Sequence, residues 1–150
     1  QWQGEYPNEQ VFLADMARGE CFAVTHGGEV AAVFVLSTLE QENYAKITDG
    51  KWTADMAYCV LHRSAVSAKY RGSGMAEFMM KCVERQAAEG FGLRCIRVDT
   101  HRKNKAMQRL LRESGYRYRG NVLIDDAGHD PARQAYEKIL KIKNIAGGCK

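Results

Sequence analysis

The sequence predicts an α/β (α+β) fold on about six strands, and three observations carry that prediction. Two pairs of apolar runs, at 21–37 and 116–140, are each broken by a short turn-forming segment and read as β-hairpins. Between them a strand at 56–66 runs into a glycine-rich turn, and from Gly74 the apolar period becomes helical. A further strand and helix separate that unit from the second hairpin, so strands and helices alternate only through the middle of the chain.

Each element follows from local chemistry. Pro7-Asn8-Glu9 opens a helix with Asn8 as N-cap, Val11, Phe12 and Met16 as its apolar side and Gly19 as its end. Strands at 21–25 and 29–37 flank Gly27-Gly28. Residues 38–53 hold no period and read as a long polar loop carrying Tyr44 and Trp52. After the 56–66 strand, Met75, Phe78, Met79, Cys82, Val83 and Gln86 share one helical face, closed by Gly90 and Gly92. A strand at 93–100 and a helix at about 103–114 follow, with Met107, Leu110 and Leu111 inward and Gly115 as C-cap glycine. Strands at 116–124 and 133–140 enclose a turn at Asp125-Asp126-Ala127-Gly128, and the tail from Ala146 is expected to fray.

The 150 residues suit one domain, 1–150, with a core that needs neither disulfide nor metal. Net charge is +4, with Lys and Arg spread among acids. A nucleic-acid binder would show a denser basic stripe, so no nucleic-acid partner is expected. No apolar run spans a bilayer and nothing resembles a secretory leader, so no membrane partner and a cytoplasmic address are expected. The five cysteines, 21, 59, 82, 95 and 149, include no C-x-x-C pair and read as reduced thiols, mostly in the core. Histidines 26, 62, 101 and 129 lack zinc-ligand spacing, so no metal is expected.

Chemistry concentrates at Arg71-Gly72-Ser73-Gly74-Met75-Ala76. Two residues without side chains let a ligand approach the backbone. The first amides of the following helix lack internal acceptors and stand at the positive end of its dipole. That arrangement seats a phosphate or pyrophosphate, and Arg71 adds a planar donor fork. No G-x-x-x-x-G-K-[ST] string exists. The dinucleotide pattern G-x-G-x-x-G meets a long acid, Glu77, at its last position, which would crowd the helix against the sheet.

The string instead fits Arg-x-x-Gly-x-Ala, preceded by Ala65-Val66 and Tyr70. With Asn104, three residues after His101, then Leu110, Gly115 and Tyr116, the sequence resembles the GCN5-related N-acetyltransferase (GNAT) family along most of its length. The resemblance implies a mixed, mostly antiparallel twisted sheet with helices on both faces, lacking the family's usual first strand and helix. The strand at Cys21 would then be a bare sheet edge, which favours pairing as a homodimer.

It implies an acetyl-CoA-dependent N-acetyltransferase that moves the acetyl group directly to an amine acceptor in a ternary complex. The amides of Gly72, Ser73, Gly74, Met75 and Ala76, with Arg71, would bind the coenzyme A pyrophosphate. The strand ending at Ala65-Val66 would splay from the one at 93–100 and take the pantetheine arm like an added strand. Asn104 would contact pantetheine or stabilise the start of its helix. The family's usual leaving-thiolate acid, a Tyr, is replaced by Leu111. That departure keeps open a second reading, a non-catalytic module that binds and senses acyl-CoA.

An attacking amine must be neutral, so a base or a water chain must take its proton. His62, interrupting an apolar strand beside the coenzyme site, is the first candidate base, and His101 competes for the role. Thr100 is a candidate donor to the thiolate, and backbone amides near Val66 could receive an oxyanion. Tyr44, Trp52 and Tyr136 are expected on the acceptor side. Lys46, Asp49 and Lys51 do not specify a substrate's charge.

Overall fold

The computed structural model describes residues 7–53, 55–124 and 130–141. Helix α1 (Glu9–Ala17) leads into the hairpin β1 (Cys21–His26) and β2 (Glu29–Ser37). A short α2 (Glu42–Ala45) precedes β3 (Tyr58–Val66). A 3₁₀ turn, Ala68–Tyr70, leads to α3 (Met75–Arg85), which runs on into one π-turn, Gln86–Gly90. Then come β4 (Cys95–His101), α4 (Lys105–Glu113), β5 (Arg117–Leu123) and β6 (Ala132–Ile139).

The six strands form one sheet in the order β1-β2-β3-β4-β6-β5. Among the described strands only the β3–β4 pairing is parallel. A parallel pair needs a crossover, and α3 supplies it. Period-two alternation sorts the sheet residues between two cores. Cys59, Leu61, Ile96, Val98 and Tyr136 pack with Met79, Met80 and Val83 of α3 and Leu111 of α4. Val60, Val122 and Ala135 face the other way, onto Tyr44 of α2 and the half-buried Trp52. The long segment between β2 and β3 thus covers the face opposite α3 and α4.

Several expectations are corrected. Met16 and Phe78, expected inward, are exposed, whereas the buried residue of α1 is Asp15. The 38–53 loop contains α2 and bridges the sheet at Thr48 and Asn121. Ladder pairing begins only at Tyr58 in β3 and Cys95 in β4, two residues later than the apolar runs suggested. Cys59 and Cys95 are buried free thiols, while Cys21 and Cys82 are only half-buried. The turn at 125–128 and the tail lie outside the described residues. Among the described residues, no helix is long and apolar enough to cross a membrane.

Candidate functional site

The turn between β3 and α3 is held open by its own geometry. Gly72 and Gly74 have φ of 72° and 83°, in the left-handed region that side chains rarely adopt. A Cβ at either would point into free space, so the absent side chains leave a cradle. Gly74 is the N-cap of α3 and, having no side chain, makes no cap hydrogen bond. The first helical bond runs from Phe78 N to Gly74 O, at 3.0 Å. The amides just before it therefore lack helical acceptors. A cavity of about 230 Å³ opens there, lined by Val66, Tyr70, Arg71, Gly72, Gly74, Ala76 and Glu77.

One predicted donor is spent. The Ser73 amide donates to Tyr70 O at 3.3 Å and its hydroxyl donates to the same oxygen at 2.7 Å. Ser73 thus closes the turn, and its neighbours carry the free amides. The carboxylate-bearing Glu77 at the rim opposes an anion, so Arg71 on the same wall offsets it.

Next to this cradle the sheet parts. β3 pairs with β4 only at Tyr58, Cys59 and Val60, opposite Cys95, Ile96 and Arg97. The β3–β4 ladder stops there, well before Ala65 and Val66 at the end of β3. On its other side β3 bulges: Val33 pairs with Ala65 and Val35 with His62, so Arg63 and Ser64 oppose one β2 residue. Arg63 has φ of 42°, a strained value for a residue with a side chain. An extended ligand arm has a strand edge to meet in this gap.

His62 and Asp99 stand on the two strands that border the gap. Alternation puts His62 on the same face as Val60, and Asp99 on the same face as Arg97. Burial, and after it the Arg63 charge, drives the pKa of the His62 imidazolium down to about 4, against the pull of Asp15 and Glu20. The ring is therefore neutral at pH 7, able to accept a proton but a weak holder of one. Burial raises the Asp99 carboxyl, against a hydrogen bond from the Tyr44 hydroxyl at 2.7 Å and the attraction of Arg133.

The other predicted site residues divide. His101 ends β4, with Nδ1 accepting from Lys103 N at 3.2 Å and Nε2 3.5 Å from Asp130 Oδ2. Desolvation, then Arg133, lowers its pKa. Thr100 is fully buried, on the α3–α4 face by alternation. Asn104 is the N-cap of α4 and accepts from Met107 N at 3.1 Å, which stabilises the start of that helix. Leu111 is fully buried in the core beneath α4.

The three aromatics expected on the acceptor side do not form one wall. Tyr136 packs into the α3–α4 core and donates to Gln134 Oε1 at 3.1 Å, whereas Tyr44 and Trp52 lie on the opposite face. A side chain's face depends on strand register, which one residue reverses. Tyr44 is 1% exposed, so it supports that face from beneath instead of lining it.

Sequence reading missed the polar groups that hold this face. Arg97 lies between Trp52 and Tyr58, 4.3 and 4.0 Å from their ring centres. Its Nε pairs with Glu137 Oε1 at 3.2 Å, and Glu137 Oε2 accepts from Thr53 N at 2.9 Å. Burial pushes the Glu137 carboxyl up, but these hydrogen bonds hold it below its ordinary value. Asp15 was missed too, although it pairs with Arg63 beside the gap. No spacing rule signals pairs this far apart in the chain.

The sequence model of the acetyltransferase (GNAT) family matches residues 1–116. A GNAT-family acetyltransferase structure from Streptococcus agalactiae 2603 is 34% identical, with a TM-score of 0.83, over 95% of this chain and 79% of that one. The Bacillus subtilis acetyltransferase in complex with CoA is 18% identical, TM-score 0.63, over 91% of this chain and 86% of that one. The ribosomal-protein-S18-alanine N-acetyltransferase from Escherichia coli is 14% identical, TM-score 0.64, over 95% and 83%. The last two share the fold alone. No curated protein matches the chain.

Proposed function

Because this chain belongs to the acetyltransferase (GNAT) family, we propose that it is an acetyl-CoA-dependent N-acetyltransferase that passes the acetyl group directly to an amine in a ternary complex. The observation that carries the reading is the uncapped start of α3 at Gly74, open to an anion beside Arg71. Gly72, Gly74, Met75 and Ala76 offer backbone amides to the pyrophosphate, and Arg71 offers its guanidinium. The edge of β3 that faces β4, beyond the last ladder pair at Val60, takes the pantetheine arm. When bound, acetyl-CoA supplies an activated acyl group as a thioester.

The chain's own residues orient the amine and dispose of its proton. His62 is preferred to His101 as proton acceptor, because Nδ1 of His101 already accepts from Lys103 N. With an imidazolium near 4, His62 passes the proton on to solvent instead of storing it. Thr100, being fully buried, is a poorer donor to the thiolate than water. Trp52 borders the acceptor side, with Tyr44 beneath it.

One observation favours a second reading, a non-catalytic acyl-CoA sensor: Leu111 puts a buried alkyl group where the family commonly has a Tyr acid. Titration calorimetry with acetyl-CoA, followed by thiol release over a panel of amines, separates the two. Arg71→Glu is expected to abolish binding, because it sets a carboxylate against phosphate. Unchanged affinity in that variant removes the site assignment; tight binding without thiol release on any amine favours the sensor.

A further inference from the structure

We propose that the cavity between α4 and the outer strand pair β5–β6 is a second ligand site, and that it takes a small aromatic anion, a flat ring carrying a carboxylate or a phosphate. The site goes beyond acetyl transfer, since this cavity shares no lining residue with the one at the start of α3. It measures about 440 Å³, within the range of small-molecule sites, against about 230 Å³ for the cradle at Gly74. Its lining includes Gln108 and Arg112 of α4, Arg117 and Tyr118 of β5, and Gln134 and Tyr136 of β6.

The charge of the lining has one sign. Among the described residues no carboxylate lines the cavity. Glu113, the acid beside Arg112 in sequence, already pairs with Arg109 at 2.8 Å. Arg117 is in register with Glu137, so Arg112 is the cation placed inside. Arg112 hydrogen-bonds the Tyr136 hydroxyl, which donates in turn to Gln134 Oε1 at 3.1 Å. A guanidinium has five N–H groups, so a bond to one tyrosine orients it and leaves others for an oxyanion. Gln108 is already engaged: its Nε2 donates to the carbonyls of His101 and Arg102, at 3.3 and 2.8 Å.

The ring part of the ligand is read from Tyr118. Its hydroxyl donates to Asn121 Oδ1 at 3.1 Å, and its ring meets that of Tyr136 edge to face, with centres 5.8 Å apart. Held at both places, the ring still stays 47% exposed. A fixed tyrosine left half in water offers apolar area to a flat partner at little cost in order. A bare ion would use Arg112 alone; the ring beside it selects an anion with a ring of its own.

The test titrates the full chain with benzoate and with phenyl phosphate, followed by backbone NMR, with and without excess coenzyme A. Inorganic phosphate supplies charge without a ring, and benzyl alcohol a ring without charge. Expected are shifted signals for Arg112, Tyr118, Gln134 and Tyr136, a Kd of about 1 mM or lower for one of the two anions, and about tenfold weaker binding of both controls. The preferred anion tells carboxylate from phosphate. Arg112→Gln should weaken it about tenfold or more. Tyr118→Ala should weaken it too, but leave inorganic phosphate unchanged. Acetyl-CoA affinity should be equal in all three proteins. Shifts confined to residues 72–77, competition by coenzyme A, or wild-type affinity in Arg112→Gln would overturn the proposal. If Arg112→Gln does not fold, Tyr118→Ala decides, and undiminished binding of the ring-bearing anion there would overturn it as well.

Discussion

The Tyr44 hydroxyl donates to Asp99 Oδ1 at 2.7 Å, joining α2 to β4 across 55 positions of sequence. Tyr44 is buried, so its phenol has little access to water, and Trp52 Nε1 donates to the Tyr44 carbonyl at 2.8 Å. One bond therefore holds both a covering segment and a carboxylate. Tyr44→Phe keeps the ring but removes the donor that lowers Asp99. The Asp99 carboxyl should titrate higher in the variant, read by carboxyl ¹³C NMR. Stability should fall by about 1–3 kcal/mol in urea, the cost of leaving a buried hydrogen-bonding group without its partner. An unmoved Asp99 titration would show that the hydroxyl does not govern it.

The cradle at α3 makes a prediction separate from charge. Gly74→Ala puts a Cβ into the open space of the turn at φ of 83°. The strain costs about 1–2 kcal/mol, and the methyl stands where a phosphate would approach. Acetyl-CoA affinity should drop by about tenfold or more, beyond what the stability loss explains. Calorimetry and thermal unfolding on the same sample separate the two effects. Equal affinity at reduced stability would move the ligand away from Gly74.

The part of this architecture that is local was legible from residue order. The Asn8 cap, the Gly27-Gly28 hairpin, the amphipathic α3 and the turn at Gly72 and Gly74 all depend on neighbours a few positions apart. The side chains that brace the site were not. Asp15 and Arg63 are 48 positions apart, Thr53 and Glu137 84. Nothing at either end of such a pair encodes the other. The same limit explains Tyr136: its hydrophobic character was plain, but its face depended on register with Val98 and Tyr118.

Those distant pairs are expected to be costly to break singly. Arg97 is 6% exposed, stacked between Trp52 and Tyr58 and paired with Glu137, which also lies 3.3 Å from Arg119. Glu137→Gln leaves guanidinium charge buried without its carboxylate, a change worth about 3–5 kcal/mol. Arg97→Lys should fail to rescue packing, because an ammonium cannot lie flat between two rings. Urea unfolding of the two single variants and the double checks this. A double variant no more stable than the sum of the singles would mean that the pair is not coupled.

His62 ties stability to pH with a definite sign. Unfolded, the ring takes a proton near its ordinary 6.5; folded, only near 4. Between those values unfolding takes up a proton, so acid favours the unfolded chain. The stabilisation is complete above pH 6.5 and is lost as pH falls through to 4. The full span corresponds to about 3 kcal/mol at 1.36 kcal/mol per unit, and solvent around a partly exposed ring trims it to about 1–2 kcal/mol. His62→Gln should abolish this share, so urea midpoints of the two proteins should converge or cross between pH 7 and pH 4.5. A constant difference across that window would mean that the ring titrates alike folded and unfolded. The same substitution should lower kcat for acetyl transfer by about 10²-fold if the imidazole accepts the amine proton, and should leave acetyl-CoA affinity unchanged, because the ring lies on β3 away from the Gly74 cradle.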